Sequence, residues 1–103
     1  MVFCWDQNKS RTNSAKHGVS FDVAVRVFDD PHALSAQDRV VDGEIRWQTL
    51  GLIEGVVVLL VAHASDGGQA ADDGEETVRI ISARRATAHE RRMYERTRKG
   101  DAG

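Results

Sequence analysis

The sequence predicts an α+β fold: a small antiparallel sheet flanked by N-terminal helices and a C-terminal helix. Three observations carry that prediction. Two apolar segments, 46–53 and 56–63, stand on either side of Glu54-Gly55, a turn dipeptide, and read as paired strands. Phe21, Val25 and Phe28 recur at helical spacing behind Ser20, with Ala24 beside them. Thr87-Ala88-His89-Glu90 has the spacing of a capping box, in which the threonine hydroxyl and the glutamate carboxylate each satisfy a backbone N–H at a helix start.

The elements follow in order. Residues 2–5 are a short apolar run and read as a strand. Asp6 can then N-cap a helix from 7 to about 16, although only Ala15 in that stretch is apolar, and Gly18 suits its C-cap. The second helix starts after Ser20, gains from Asp22 in its first turn, and stops near Asp29 because the residue before Pro31 avoids helical angles. Residues 32–37 form a weak strand and 38–44 a polar connection containing Gly43. The run 56–63 is apolar on both faces, as in a central strand covered on both sides. Residues 65–76, rich in Gly, Asp and Ala, read as an exposed loop. The last strand spans 77–84 and the last helix runs from Thr87 to about Arg98 with a sparse apolar face.

A length of 103 residues sets one domain, 1–103, with material for a modest core. One cysteine excludes an internal disulfide framework and a Cys-rich zinc site. The start lacks a signal-peptide pattern, and the longest apolar run, 56–62, is too short to span a bilayer. These features predict a cytoplasmic protein with no membrane contact. The net charge of −2 hides an asymmetry. Residues 1–78 hold six Lys/Arg and thirteen Asp/Glu, a net −7, whereas residues 79–103 hold eight and three, a net +5. A basic end of this kind suits a polyanion or an acidic partner, or is simply a solvated face.

Few residues offer chemistry. The four histidines have no ligand-like spacing, which predicts no metal site and no cofactor. Cys4 beside Trp5 reads as a small hydrophobe, and His63 at the end of an apolar strand as a core histidine. A His/Arg constellation remains. Lys16-His17 lies at a helix end, where cations also interact well with the helix dipole. Arg46 shares a strand face with Gln48, Leu50 and Leu52. Strict alternation puts Arg84 with Val78, Ile80 and Ser82, and puts Arg79 and Arg85 on the opposite face with Ile81 and Ala83. Arginines at strand ends serve function when several converge, because guanidinium forks match phosphate oxygens.

Three groups of words in the sequence resemble the BrnT toxin family. Trp5-Asp6 with Lys9 and Asn13, then Lys16-His17-Gly18-Val19-Ser20-Phe21 and Val27-Phe28-Asp29-Asp30-Pro31, resembles its opening. Glu44-Ile45-Arg46-Trp47, Leu50-Gly51 and the run 57–62 resemble its middle. The stretch from Arg79 through Ser82-Ala83-Arg84-Arg85-Ala86-Thr87 to Glu90-Arg91-Arg92 and Tyr94-Glu95 resembles its end. The likeness covers about residues 3–96. It departs at Ser14, where the family often has leucine, and in the longer, more acidic loop 67–76.

That resemblance implies the toxin half of a type II toxin–antitoxin pair, a ribonuclease with a RelE-like fold, and a BrnA-type antitoxin as partner. The implied reaction is metal-independent attack of a ribose 2′-OH on the adjacent phosphate of RNA, which inhibits translation and growth. It needs proton transfer and cations where the phosphorane gains charge. His17 is the expected proton carrier; Arg46 and Arg84 are the expected charge stabilisers. Glu44 orients Arg46 or acts as a base. Lys16, Arg79 and Arg85 would hold flanking phosphates, and Tyr94 would stack on a base or simply pack. Arg91, Arg92 and Arg96 would meet the antitoxin, and DNA contact would come only through that antitoxin. The competing expectation is a non-catalytic module that binds an antitoxin and tunes its DNA-bound repression.

Overall fold

The computed structural model describes residues 1–65 and 75–100. The elements are β1 (Val2–Cys4), α1 (Gln7–His17), α2 (Phe21–Ala24) running on as a 3-10 turn (Val25–Asp29), β2 (Leu34–Val41), β3 (Glu44–Ile53), β4 (Val57–Ser65), β5 (Thr77–Arg85) and α3 (Ala88–Arg98). Among the described residues they form one five-stranded sheet in the order β1-β5-β4-β3-β2. Most of the expected loop 65–76 lies outside the described residues, although Ser65 itself ends β4. No helix among the described residues is long and apolar enough to cross a membrane.

The sheet is mixed, not antiparallel throughout. β2, β3, β4 and β5 pair antiparallel, but β1 lies parallel to β5, with Phe3 opposite Val78. No hairpin joins β1 to β5, so no tight turn imposes an antiparallel direction on it. Nor is there a long polar connection at 38–44. β2 continues to Val41 and turns into β3 through Asp42-Gly43, with φ of 51° and 78°. Two successive positive φ values define the hairpin turn whose twist matches the strands, which is why Asp-Gly stands there.

α1 forms without an apolar face. The Asp6 carboxylate accepts from the backbone N–H groups of Asn8 (2.8 Å) and Lys9 (3.2 Å), and Gly18 closes the helix in the left-handed region. Its buried residues are polar. Ser10 Oγ accepts from Phe21 N at 2.9 Å. The Asn13 amide donates to the carbonyls of Val19 and Ala83 at 2.8 Å, and its oxygen accepts from Ala83 N at 3.2 Å. One side chain thereby satisfies three backbone groups and fastens the helix to β5, beyond the point where β1 pairing ends.

One sheet face carries the main core. Phe21, Ala24 and Val27 pack on Ile53, Leu59, Val61, Val78, Ile80 and Ala83. The 3-10 turn rotates the segment so that Val27 is fully buried, in place of the Val25 and Phe28 that helical spacing selects. Gly51 lets this turn approach: a Cβ there would stand 2.6 Å from Val27 Cβ and 2.9 Å from its carbonyl oxygen. On the other face α3 packs through Tyr94 onto Leu50, Val58 and Leu60. Asp30 ties these parts together. Its Oδ2 accepts from Leu52 N at 2.8 Å and from the Tyr94 hydroxyl, and its Oδ1 from His32 N at 2.9 Å.

Candidate active site

Strand register places the candidate residues. Alternation along β3 puts Glu44, Arg46, Gln48 and Leu50 on the face that α3 meets. Cross-strand pairs extend each position into a row: Leu50–Leu60–Arg84, then Gln48–Ala62–Ser82, then Arg46–Ala64–Arg79. α3 covers the first row through Tyr94. Among the described residues no element packs over the other two, and Arg79 and Ser82 are exposed.

Arg79 and Arg84 share this face, contrary to strict alternation. The β4–β5 register shifts between Ala62 and His63, so Ile81 has no partner and β5 carries a bulge. One extra residue inverts the alternation beyond it. Arg84 therefore joins Ser82 and Arg79, whereas Arg85 sits opposite Leu59 on the core-bearing face. The sequence words Ile80-Ile81-Ser82 give no sign of which residue is extra.

Glu44 is the hub of the open face. Arg79 grips it with a fork, Nη2 donating to Oε1 at 2.7 Å and Nη1 to Oε2 at 3.0 Å. Arg46 donates only its Nε, to Oε1, at 3.1 Å. Both Nη groups of Arg46 are left without a hydrogen-bond partner among the described residues, on a side chain 24% exposed. The Arg79 hydrogen bonds, with the charges of Arg79 and Arg46, hold the Glu44 carboxyl below its ordinary range. A carboxylate so engaged suits orientation of Arg46 better than proton abstraction.

Arg84 is held differently. Nη1 and Nη2 donate to the two Glu90 oxygens at 2.8 and 3.0 Å, and Nη1 also to the Arg85 carbonyl at 3.1 Å. Glu90 is in addition the capping-box residue of α3: its Oε1 accepts from Thr87 N at 2.8 Å, while Thr87 Oγ1 accepts from Glu90 N at 3.2 Å. The Arg84 fork, helped by Thr87, depresses the Glu90 carboxyl to about 2. The second use of Glu90 was not visible in the sequence, where the capping box accounted for it.

Other candidates lie apart. Lys16 and His17 are exposed at the end of α1, and among the described residues no hydrogen bond or ion pair joins them to the Glu44 face. Arg91, Arg92 and Arg96 line a groove along α3 with Glu95 and Lys99. Tyr94 cannot stack on a base from its observed position. It is wholly buried, and burial together with its hydrogen bond to Asp30 pushes the phenol up to about 12. Gln48 and Ser82 stand between the arginine rows: alternation sets Gln48 beside Arg46 and Ser82 beside Arg84, and the register joins the two across Ala62.

No curated protein sequence matches the chain. A crystal structure of the Brucella abortus ribonuclease toxin BrnT is similar at 25% identity and a TM-score of 0.58, over 84% of this chain and 99% of that one. A family model described as the ribonuclease toxin BrnT of type II toxin–antitoxin systems matches residues 5–90. The chain belongs to the BrnT family of ribonuclease toxins of type II toxin–antitoxin systems.

Proposed function

We propose that this chain is a cytoplasmic endoribonuclease toxin that cleaves RNA by 2′-OH attack without a metal, on the open face of a RelE-like sheet. The observation that carries the proposal is the Arg79–Glu44–Arg46 relay. Glu44 fixes Arg46 through Nε and leaves the terminal fork to meet two phosphate oxygens. A fixed guanidinium supplies the charge that a pentacovalent phosphorane needs, the task a metal performs in other nucleases.

In this reading Glu44 positions Arg46 and does not act as the base. Arg84 adds a second positive charge on the same face, two rows from Arg46, while its fork fastens β5 to α3 through Glu90. Arg79 is committed to Glu44 through both Nη groups, and Lys16 and Arg85, on the core-bearing side, meet only RNA that continues past the sheet. His17 is exposed in the Lys-His-Gly segment that resembles the family, but it stands on the helix fastened to Ala83 on the core-bearing side, so it does not act on the phosphate at Arg46. A BrnA-type antitoxin neutralises the toxin by engaging Arg91, Arg92 and Arg96, and DNA contact comes through that antitoxin.

The test is induced expression of the wild type and of Arg46→Ala without antitoxin. Arrest by the wild type, relieved by the substitution at equal protein level, supports the reading. Full arrest by Arg46→Ala refutes the site. Absence of RNA cleavage by the folded wild type would favour the non-catalytic module instead.

A further inference from the structure

A second bulge brings a further arginine to the open face. It lies in β2, the edge strand beside β3. Gln37 pairs with Trp47 and Arg39 with Arg46, so Asp38 is an extra residue with no cross-strand partner. Without that extra residue Asp38 would stand opposite Arg46, an opposite-charge pair of the kind that stabilises a sheet. With it Arg39 takes the place. Residues directly opposite share a face, so the Arg46 row runs Arg39–Arg46–Ala64–Arg79 across four strands. Bulges that re-aim a side chain concentrate beside active sites.

Like charges directly opposite each other destabilise a sheet, and little offsets this pair. The Arg39 side chain is 74% exposed, and its one ion-pair partner among the described residues, Asp38, stands 3.8 Å from Nε, beyond hydrogen-bond length. Glu44 is taken up by Arg79 and by Arg46 Nε. Arg84 gives both Nη groups to Glu90. Among the described residues of this face, Arg39 and Arg46 are therefore the arginines whose terminal N–H groups are free. In their row three arginines meet two carboxylates, Asp38 and Glu44, which leaves over one positive charge, enough for one phosphodiester. Opposite side chains start about 4.5–5.5 Å apart at Cβ, so two long arms can close on one anion, and each fork matches phosphate oxygens. In a ribonuclease family that anion is an RNA phosphate.

We infer that Arg39 and Arg46 clamp one phosphate of the RNA between them. The inference rests on the reading of Arg46 as a phosphate ligand and adds a second residue to that site. Fluorescence anisotropy of a labelled single-stranded RNA with methylated 2′-hydroxyls, which 2′-OH attack cannot cut, reads binding apart from cleavage. Arg39→Ala should weaken binding by the full chain about tenfold and flatten its salt dependence. Arg39→Lys should recover little, for want of the fork. The losses in Arg39→Ala and Arg46→Ala should not be additive, because both act on one phosphate. Arg39→Asp should bind no better than Arg39→Ala and melt no lower than wild type, since it replaces repulsion across the strands by attraction. Affinity of Arg39→Ala within about twofold of wild type overturns the clamp, and a loss in Arg46→Ala alone then leaves the Arg46 reading in place. Additive losses also overturn it, as does an Arg39→Ala defect confined to binding of the antitoxin. Weak binding by Arg39→Ala beside wild-type binding by Arg46→Ala overturns the clamp and the Arg46 reading together. Arg39-dependent binding by a wild type that never cleaves unmethylated RNA strikes the catalytic reading and still supports the clamp.

Discussion

Glu90→Gln isolates the charge that locks α3 to β5. Glutamine retains an oxygen for Thr87 N, so the capping box survives, but the Arg84 fork loses its charged acceptor. The fall of the Glu90 carboxyl from 4.5 to about 2 sets a ceiling of roughly 3 kcal/mol, at about 1.4 kcal/mol per pH unit. Solvent reaches 38% of the Arg84 side chain, and screening of so exposed a partner reduces the expected loss to about 1–2 kcal/mol. For a chain of this size each kcal/mol moves the thermal midpoint by about 4–8 °C. The sign with pH follows from the depressed folded value. The stabilisation is complete above about 4.5, shrinks as pH falls, and vanishes below about 2, where both forms carry a neutral side chain. Melting and urea unfolding of both proteins at pH 7 and pH 3 measure it. Equal midpoints at pH 7, or a gap at pH 3 as large as at pH 7, would refute the reasoning.

Asn13→Ala strips three buried backbone groups of their partner and should cost about 2–3 kcal/mol in urea unfolding; a loss under about 0.5 kcal/mol would show that water replaces the amide. Gly51→Ala drives a methyl into the Val27 backbone and should cost about 1–3 kcal/mol, whereas an unchanged midpoint would mean the 3-10 turn moves freely. His17→Ala should change RNA cleavage and melting little, since the exposed side chain stands off the Arg46 face; a loss of roughly 10²–10⁴ in rate would bring His17 into the proton transfer.

Local chemistry was the legible part of this sequence. Asp6, Gly18, Glu54-Gly55 and Thr87 each announce a helix end or a turn through a mechanism that acts within a few residues, and the elements form where those signals place them. Asp42-Gly43 carries the same kind of signal, yet Asp38 and Arg39 ahead of it masked the extension of β2 through Val40 and Val41. Non-local facts were not legible. The direction of β1 depends on where a three-residue strand finds a free edge. That Arg79 and Arg84 share the face of Arg46 depends on a bulge at Ile81 that alternation cannot foresee. Glu44 was legible as a partner of Arg46 two residues away, but its second partner, Arg79, stands 35 residues off across two strands. Tyr94 was misplaced in the RNA set for a related reason: its partner Asp30 lies 64 residues earlier, and only their meeting buries the ring.

The central claim is that Glu44 presents the Arg46 fork to a phosphate. Single-turnover cleavage of RNA in excess EDTA, by wild type, Arg46→Ala, Arg46→Lys and Glu44→Gln on one preparation of RNA, tests it most directly. Wild type should cleave. Arg46→Ala should be at least about a hundredfold slower, roughly 3 kcal/mol of lost transition-state stabilisation, with an unchanged melting temperature. Arg46→Lys should recover little, because a point charge lacks the fork, and Glu44→Gln should fall in between. Cleavage by Arg46→Ala at the wild-type rate, or wild-type activity that appears only when a divalent cation is restored, would contradict the account.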